Sequence, residues 1–317
     1  MNNAVLIIDG NNIAYRAMVM PNLYASNGTR TAVIFSIFRS LITFLKKFNT
    51  SHFVFCWDIS KSKRRTTFYP QYKMNRKKDW TVEQQMDYEH FISQMKICRK
   101  IFDFLNFSQV SVDGVESDDL MSILSCILSK KFKPIIITSD KDLLQCVSLS
   151  ASVYNPSKKI LYSAHNFIAE IGLAPEQYLF ARAMMGDKSD NIAGIRGVGE
   201  KTAFEIIKLL KVPNLEFLSQ YAFTNEKKKK IMKRIIEEIN IVKRNMQLMR
   251  LPDGFDALDC NERPLVKSKV NRLLMKSILS NKRQVDRLRF TQLVDKLEMY
   301  SIFNNDNNLK ILGLELI

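Results

Sequence analysis

Acidic side chains are scarce in this chain. Its 317 residues hold 32 Asp and Glu against 48 Lys and Arg, a formal net charge of +16. Such a balance argues against a cationic partner and favours a polyanion, nucleic acid ahead of an anionic membrane surface. Long apolar runs are missing too. None approaches the ~20 residues that a membrane-spanning helix needs, so no membrane partner is expected. The opening "MNNAVLIIDGNN" has no basic n-region and meets an acid at its end, which reads as a strand rather than a secretory signal. Cysteine and histidine are few and dispersed. Cys56, Cys98, Cys126, Cys146 and Cys260 form no CxxC pair, and His52, His90 and His165 lie far apart. A disulfide framework and a structural zinc site are thereby disfavoured, and a reducing cytoplasm is the expected setting.

What is present is ordered. The first half alternates short β-branched runs with helical periodicity: "AVLII" (4–8), "HFVFCW" (52–57), "SQVSV" (108–112), "PIIIT" (134–138) and "SVYN" (152–155). Between them, Ala32, Phe35, Phe38, Leu41, Ile42 and Leu45, then Phe91, Met95, Cys98, Phe102 and Leu105, recur at helical spacing. A third helix, over Leu120, Ile123, Leu124, Ile127 and Leu128, has Ser117 as its expected N-cap. This rhythm predicts an α/β fold, a mostly parallel central sheet flanked by helices. A basic, aromatic insert "KSKRRTTFYPQYKMNRKKDWT" (61–81) interrupts it and is too long for a plain connection. Beyond about residue 175 helical patterns dominate. The expected organisation is an α/β core over 1–182 with an insert at about 61–100, then a helical region over 183–317 whose last segment packs back on the core.

The first four strands each run into acid. Asp9 ends the first and Asp58 the second, Glu116, Asp118 and Asp119 follow the third, and Asp140 and Asp142 follow the fourth. In a parallel sheet these ends share one edge, where open α/β folds place ligands. Asp187 and Asp190, three apart in "GDKSDN", could join them from the helical half. Singly, Asp118 and Asp119 read as first-turn helix acids, Asp140 as a cap and Asp9 as a turn residue. Gathered on one rim they would repel one another by several kcal/mol unless cations lay between them. A set of oxygen ligands without His or Cys suits a hard ion, magnesium or manganese. The number of carboxylates suits two ions about 4 Å apart, the arrangement used for in-line displacement at phosphate.

Two stretches can hold phosphate. "GIRGVGEKTAFEII" has the form of a helix–hairpin–helix: Gly197 and Gly199 allow a tight turn, and a helix from about Lys201 and Thr202 presents free N–H groups. In the insert, Lys73 and Arg76 share one face if that part is helical, and Tyr69 and Tyr72 could stack on bases. Arg64, Arg65 and Lys77 of the same insert are further expected DNA contacts. The competing reading is a solvated charged loop, and for lysines 227–230 a solvated helix face is at least as good.

Taken together, "IIDGNNIAYRAM", "SNGTRTAVIFSIFRSL", "FCWD", "FYPQYKMNR", "GVESDD", "TSDKDLLQ" and "GDKSDNIAGIRGVGEKTA" resemble the 5′-nuclease (flap endonuclease) family, in family order over residues 1 to about 210. The resemblance implies a PIN/5′-nuclease-like fold with a helical arch. It also implies metal-dependent phosphodiester hydrolysis at a free 5′ end, a nick or the base of a 5′ flap in DNA, with RNA primers as a further substrate, in replication or repair. It implies two Mg2+ ions, replaceable by Mn2+: one held by Asp9, Asp58, Glu116 and Asp118, the other served by Asp119, Asp140, Asp142, Asp187 and Asp190. Lys73 and Arg76 would stand in the arch as catalytic groups, and a K+ ion would sit at the hairpin. A free-standing, monomeric nuclease of bacterial or phage origin is expected. The alternatives are a PIN-type ribonuclease, which would lack the hairpin and the insert, and a nuclease-inactive DNA-binding protein, which would lack some of these acids.

Overall fold

In the computed structural model, residues 3–18, 23–76, 80–210, 226–276 and 283–317 are described. The apolar runs form the strands their composition predicts: β1 (Ala4–Asp9), β2 (Phe53–Cys56), β3 (Gln109–Val110), β4 (Lys133–Ile137) and β5 (Ser152–Asn155). A sixth, β6 (Ile160–Tyr162), is too short to show alternation in sequence. The sheet order is β3-β2-β1-β4-β5-β6, parallel except where β6 turns back on β5. All six residues of β1 are buried, as befits a central strand covered on both faces.

One face is covered by α1 (Gly10–Ala17), α2 (Ala32–Phe48) and, after the short α3 (Lys63–Phe68), by α4 (Val82–Phe104). On the other lies α5 (Ser117–Leu128), whose Leu120, Ile123 and Leu124 pack on Val5, Ile7 and Ile136. The expected cap of α5 is corrected by one residue: Glu116 takes that position, and the Ser117 N–H donates instead to the Asp58 carboxylate at 2.6 Å. The connection 69–76 is a turn, so Lys73 and Arg76 do not share a helix face. Lys73 sits at φ 54, in the left-handed region.

After α6 (Phe167–Ile171), α7 (Pro175–Met185) begins a helical layer. A two-stranded hairpin follows, β7 (Gly186–Asp187) and β8 (Ile192–Ala193), then α8 (Glu200–Leu210), α9 (Glu226–Glu237) and α10 (Ile239–Met249). At Gly186, φ is +70 and a Cβ would fall 2.3 Å from the Gly194 nitrogen, so only glycine lets the two strands close here. The chain then returns to the sheet. Helix α11 (Glu262–Lys276) buries Val266 and Val270 against the α5 face. The last elements, β9 (Arg283–Val285), α12 (Arg287–Leu297), α13 (Tyr300–Phe303), α14 (Asp306–Leu312) and β10 (Leu314–Leu316), complete the α2–α4 face. Phe303 meets Phe38 edge-on, ring centroids 5.0 Å apart.

Candidate active site

The parallel order brings the ends of β1, β2 and β4 together, and with them a group of carboxylates that form no direct ion pair among the described residues. Asp9 lies at the floor, 5% exposed, where its oxygens accept from the Asn12 N–H at 2.9 Å and the Thr138 hydroxyl at 2.8 Å. Asp58 and Asp140 keep solvent-exposed edges on either side. Asp118, half-buried between them, has no hydrogen-bond partner among the described residues. Burial first, then the charges of Asp140, Asp58 and Asp9, push the Asp118 carboxyl well above the usual range. Burial, together with Asp58 and Asp140, likewise raises Asp9 to about 7. Carboxylates crowded so that neighbouring acids raise their pKa form a place that favours a cation.

The remaining rim carboxylates are compensated by the protein itself. Glu116 is ion-paired to Lys73 at 2.7 Å and Arg65 at 3.1 Å, and accepts from the Tyr72 hydroxyl at 2.9 Å. Burial would raise its pKa, but Lys73 and Arg65 outweigh that and hold it below the ordinary value. Asp190 pairs with Arg76 at 2.5 Å and Lys73 at 3.6 Å. The turn that carries these cations is stitched to the hairpin by a main-chain bond, Lys73 N–H to Asp190 C=O at 2.9 Å, and by the Asn191 side-chain amide, which donates to Gln71 C=O at 2.7 Å. Asp142 and Asp187 share one guanidinium, that of Arg182, at 2.7 Å each.

No three Asp, Glu, His or Cys side chains among the described residues are drawn together as a ready-made metal cage. The donor chemistry nonetheless fits a hard divalent ion. Asp9, Asp58, Asp118 and Asp140 offer oxygen alone, lie within electrostatic reach of one another and form no direct ion pair among the described residues, although Lys73 and Arg182 act on them from a distance. The sign of the resulting pH dependence is fixed. Asp9 binds its proton more tightly folded than unfolded, so its contribution to stability falls as pH rises from near 3.8 to about 7. Asp142, raised to about 6 mainly by burial, acts in the same direction. In chelator, the melting temperature is expected to be higher near about pH 5 than near about pH 8, and magnesium should remove the difference by acting at the higher pH. A chelated protein that melts higher at the alkaline end would contradict this account of the rim.

Beside the rim, Gly197 (φ +86) and Gly199 make an exposed turn into α8, and Lys201 at the start of that helix is exposed. This combination of mostly parallel sheet, carboxylate rim and helical layer matches known proteins. The model described as "5′-3′ exonuclease, N-terminal resolvase-like domain" fits residues 4–172, and "5′-3′ exonuclease, C-terminal SAM fold" fits 173–271. The chain belongs to the 5′-3′ exonuclease family. A 5′-3′ exonuclease of Bacillus subtilis is 29% identical over 216 residues, covering 65% of this chain and 70% of that protein. DNA polymerase I of Mycobacterium tuberculosis is 31% identical over 63% of this chain, which spans only 22% of the polymerase. Among solved structures, the bacteriophage T5 D15 flap endonuclease, in a pseudo-enzyme–product complex with DNA and metal ions, superposes with a TM-score of 0.72. It is 21% identical, with 86% of this chain and 98% of that one covered, a likeness of fold.

Within this family member several expected residues take other places. Tyr72 is 3% exposed, so its ring offers no platform to a base. Tyr69 lies under the Arg244 guanidinium, 4.8 Å from its ring centroid. Arg65, an expected DNA contact, is buried, 4% exposed. It grips both oxygens of Asp119 at 2.6 and 2.7 Å and donates through Nε to Leu248 C=O at 2.8 Å. Asp119, 1% exposed, has both oxygens engaged by that arginine, whose Nη1 also reaches the rim acid Glu116 at 3.1 Å. Arg64 likewise turns inward, toward Asp119 at 3.6 Å and Glu262 at 3.8 Å. Lys77 lies outside the described residues. Sequence reasoning missed Arg182, which sits in a helix with no motif of its own, five residues before Asp187. No described helix is long and apolar enough to cross a membrane.

Proposed function

We propose that the chain is a structure-selective 5′ nuclease that hydrolyses phosphodiesters at a free 5′ end, nick or 5′-flap base in DNA. The observation that carries this reading is the quartet Asp9, Asp58, Asp118 and Asp140, none of it directly ion-paired among the described residues, set beside a turn rich in cations. Two magnesium ions, or manganese in their place, would be held by the quartet together with Glu116, Asp142, Asp187 and Asp190. They would supply charge neutralisation and an activated water at the scissile phosphate. A potassium ion at the Gly197–Gly199 turn would accompany duplex binding. The N-terminus of α8 and Lys201, with Thr202 behind it, would grip the duplex backbone without reading sequence.

Lys73 and Arg76 neutralise Glu116 and Asp190 in the resting protein. With those acids engaged elsewhere, the two cations are freed to face the charge that develops on the phosphate. Lys73→Ala is therefore expected to lower single-turnover cleavage by roughly 10²-fold while leaving duplex affinity nearly unchanged. Intact turnover with uniformly weaker binding would reduce Lys73 to a general contact. The reading as a whole is tested by mapping cleavage of 5′-labelled flap, nicked and blunt duplexes with magnesium and with excess chelator. Full activity in chelator would overturn it, and preference for a single-stranded RNA would move the chain to ribonuclease chemistry.

A further inference from the structure

Arg182 stands apart from the other cations of the site because it belongs to neither the sheet nor the insert. It projects from α7, and its side chain is 12% exposed. Its Nε donates to Asp142 at 2.8 Å and its Nη2 to Asp187 at 2.7 Å, so one planar group reaches two carboxylates at once. Asp142 comes from the short helical turn after β4, on the sheet. Asp187 belongs to β7, and its second oxygen is occupied by the Ser189 N–H at 2.7 Å and hydroxyl at 2.6 Å.

The backbone on either side of Arg182 is tied to the helical layer. The next carbonyl, Ala183, accepts from the fully buried Asn245 of α10 at 2.8 Å. The carbonyl after it, Met184, accepts from the Ile195 N–H at 2.9 Å, at the entry to the glycine turn. The position of α7 is thus set by the elements that carry the turn, and Arg182 passes that position on to an acid of the sheet.

We propose that Arg182 is a positioning residue: its guanidinium fixes the separation of Asp142 and Asp187 and registers the helical layer against the sheet carboxylates. The proposal rests on the 5′-nuclease reading above. Without the fork, two carboxylates in a crevice repel and move apart; with it, their geometry is set before any ion arrives. The same positive charge opposes a divalent ion, so positioning and electrostatics make opposite demands on this residue. That opposition gives the test its sign.

Arg182→Gln and Arg182→Lys are compared with the parent chain in three measurements. These are Mn2+ binding to DNA-free protein, followed by the electron paramagnetic resonance of free Mn2+; single-turnover flap cleavage at saturating magnesium and substrate; and melting temperature. In the Gln variant, Mn2+ should bind at least as tightly, since a repelling charge is gone, while cleavage falls by about 10²-fold, the typical effect of misplacing catalytic groups by an ångström. Lysine restores the charge but reaches only one carboxylate. It should return Mn2+ affinity to the parent value and leave cleavage slow. Recovery of both by lysine would overturn positioning in favour of charge alone. An unchanged cleavage rate with only a lower melting temperature would make Arg182 purely structural and also overturn it. The parent chain and Asp118→Asn serve as controls: a parent that does not cleave the flap with magnesium means that the nuclease reading itself has failed, whatever Arg182 does, whereas an Asp118→Asn variant that cleaves normally means that the rim is not the metal site.

Discussion

Asp118→Asn should abolish cleavage and, in the absence of metal, make the protein more stable. The two effects have one cause. Asp118 has no hydrogen-bond partner among the described residues and lies among Asp140, Asp58 and Asp9, whose charges raise its pKa beyond what burial does. At neutral pH the folded state must either keep a proton there or hold several like charges together. Asparagine removes that burden at almost constant shape, and a gain on the order of 1 kcal/mol would raise the melting temperature by ~2–4 °C in a protein of this size range. The catalytic loss is larger. An ion that has lost a central ligand no longer aligns the attacking water, and a drop of at least ~10³-fold is expected, the upper range for removing a single transition-state stabiliser. Calorimetry in chelator and in magnesium, paired with single-turnover cleavage, reads both. The expected pattern is a variant that melts higher than the parent without metal and gains less from adding it. An Asp118→Asn protein that is less stable in chelator would show that the carboxylate serves the fold rather than an ion.

The second large effect concerns stability and comes from the opposite situation, a buried charge fully paired. Arg65→Met leaves Asp119, 1% exposed, without its bidentate partner, leaves Glu116 with Lys73 and the Tyr72 hydroxyl, and deprives the Leu248 carbonyl of its donor. Breaking a buried pair from one side costs about 3–5 kcal/mol, because the surviving charge stays desolvated. For this chain that is a fall on the order of 10 °C in melting temperature. Removing both charges, as in Arg65→Met with Asp119→Leu, should recover most of the loss. Urea unfolding of the two single variants and the double variant isolates the pair term. A loss under ~0.5 kcal/mol in the first variant, as for an exposed residue, would return Arg65 to the DNA-facing role that its place in a basic run suggests.

Much of the fold was legible in the sequence, and the reason is local. A strand buried on both faces must be almost wholly apolar, so β1, β2 and β4 announce themselves, and the acid ending each lies on the sheet's carboxyl edge by topology alone. Strand β6, three residues long, has no such pattern. The charged insert was the harder case. In sequence, Arg64 and Arg65 look like their solvated neighbours, because what buries them lies elsewhere: Asp119 is 54 positions from Arg65, and Leu248 is 183 away. The same holds for Tyr72, whose partners Glu116 and Asp190 are 44 and 118 positions off. Composition records that a segment is basic; only tertiary contact decides which of its cations face water. Lys73 and Arg76 would share one face only in a helix, and a turn with Lys73 at φ 54 delivers both to Asp190 instead.

The closing elements have a bearing on how the chain is made. Val285, Phe290, Phe303 and Leu312 form a wall of the larger core, against Phe38 of α2 and Phe102 of α4. They are translated after everything they cover. A nascent chain that has emerged through α10 already contains every rim carboxylate, yet the outer sides of α2 and α4 remain wet and apolar, the kind of surface on which partly made proteins aggregate or recruit chaperones. Chemistry is thus encoded early and solubility late, so a ribosome stalled between α10 and β9 would hold a complete set of ligands on a body that cannot yet shield itself.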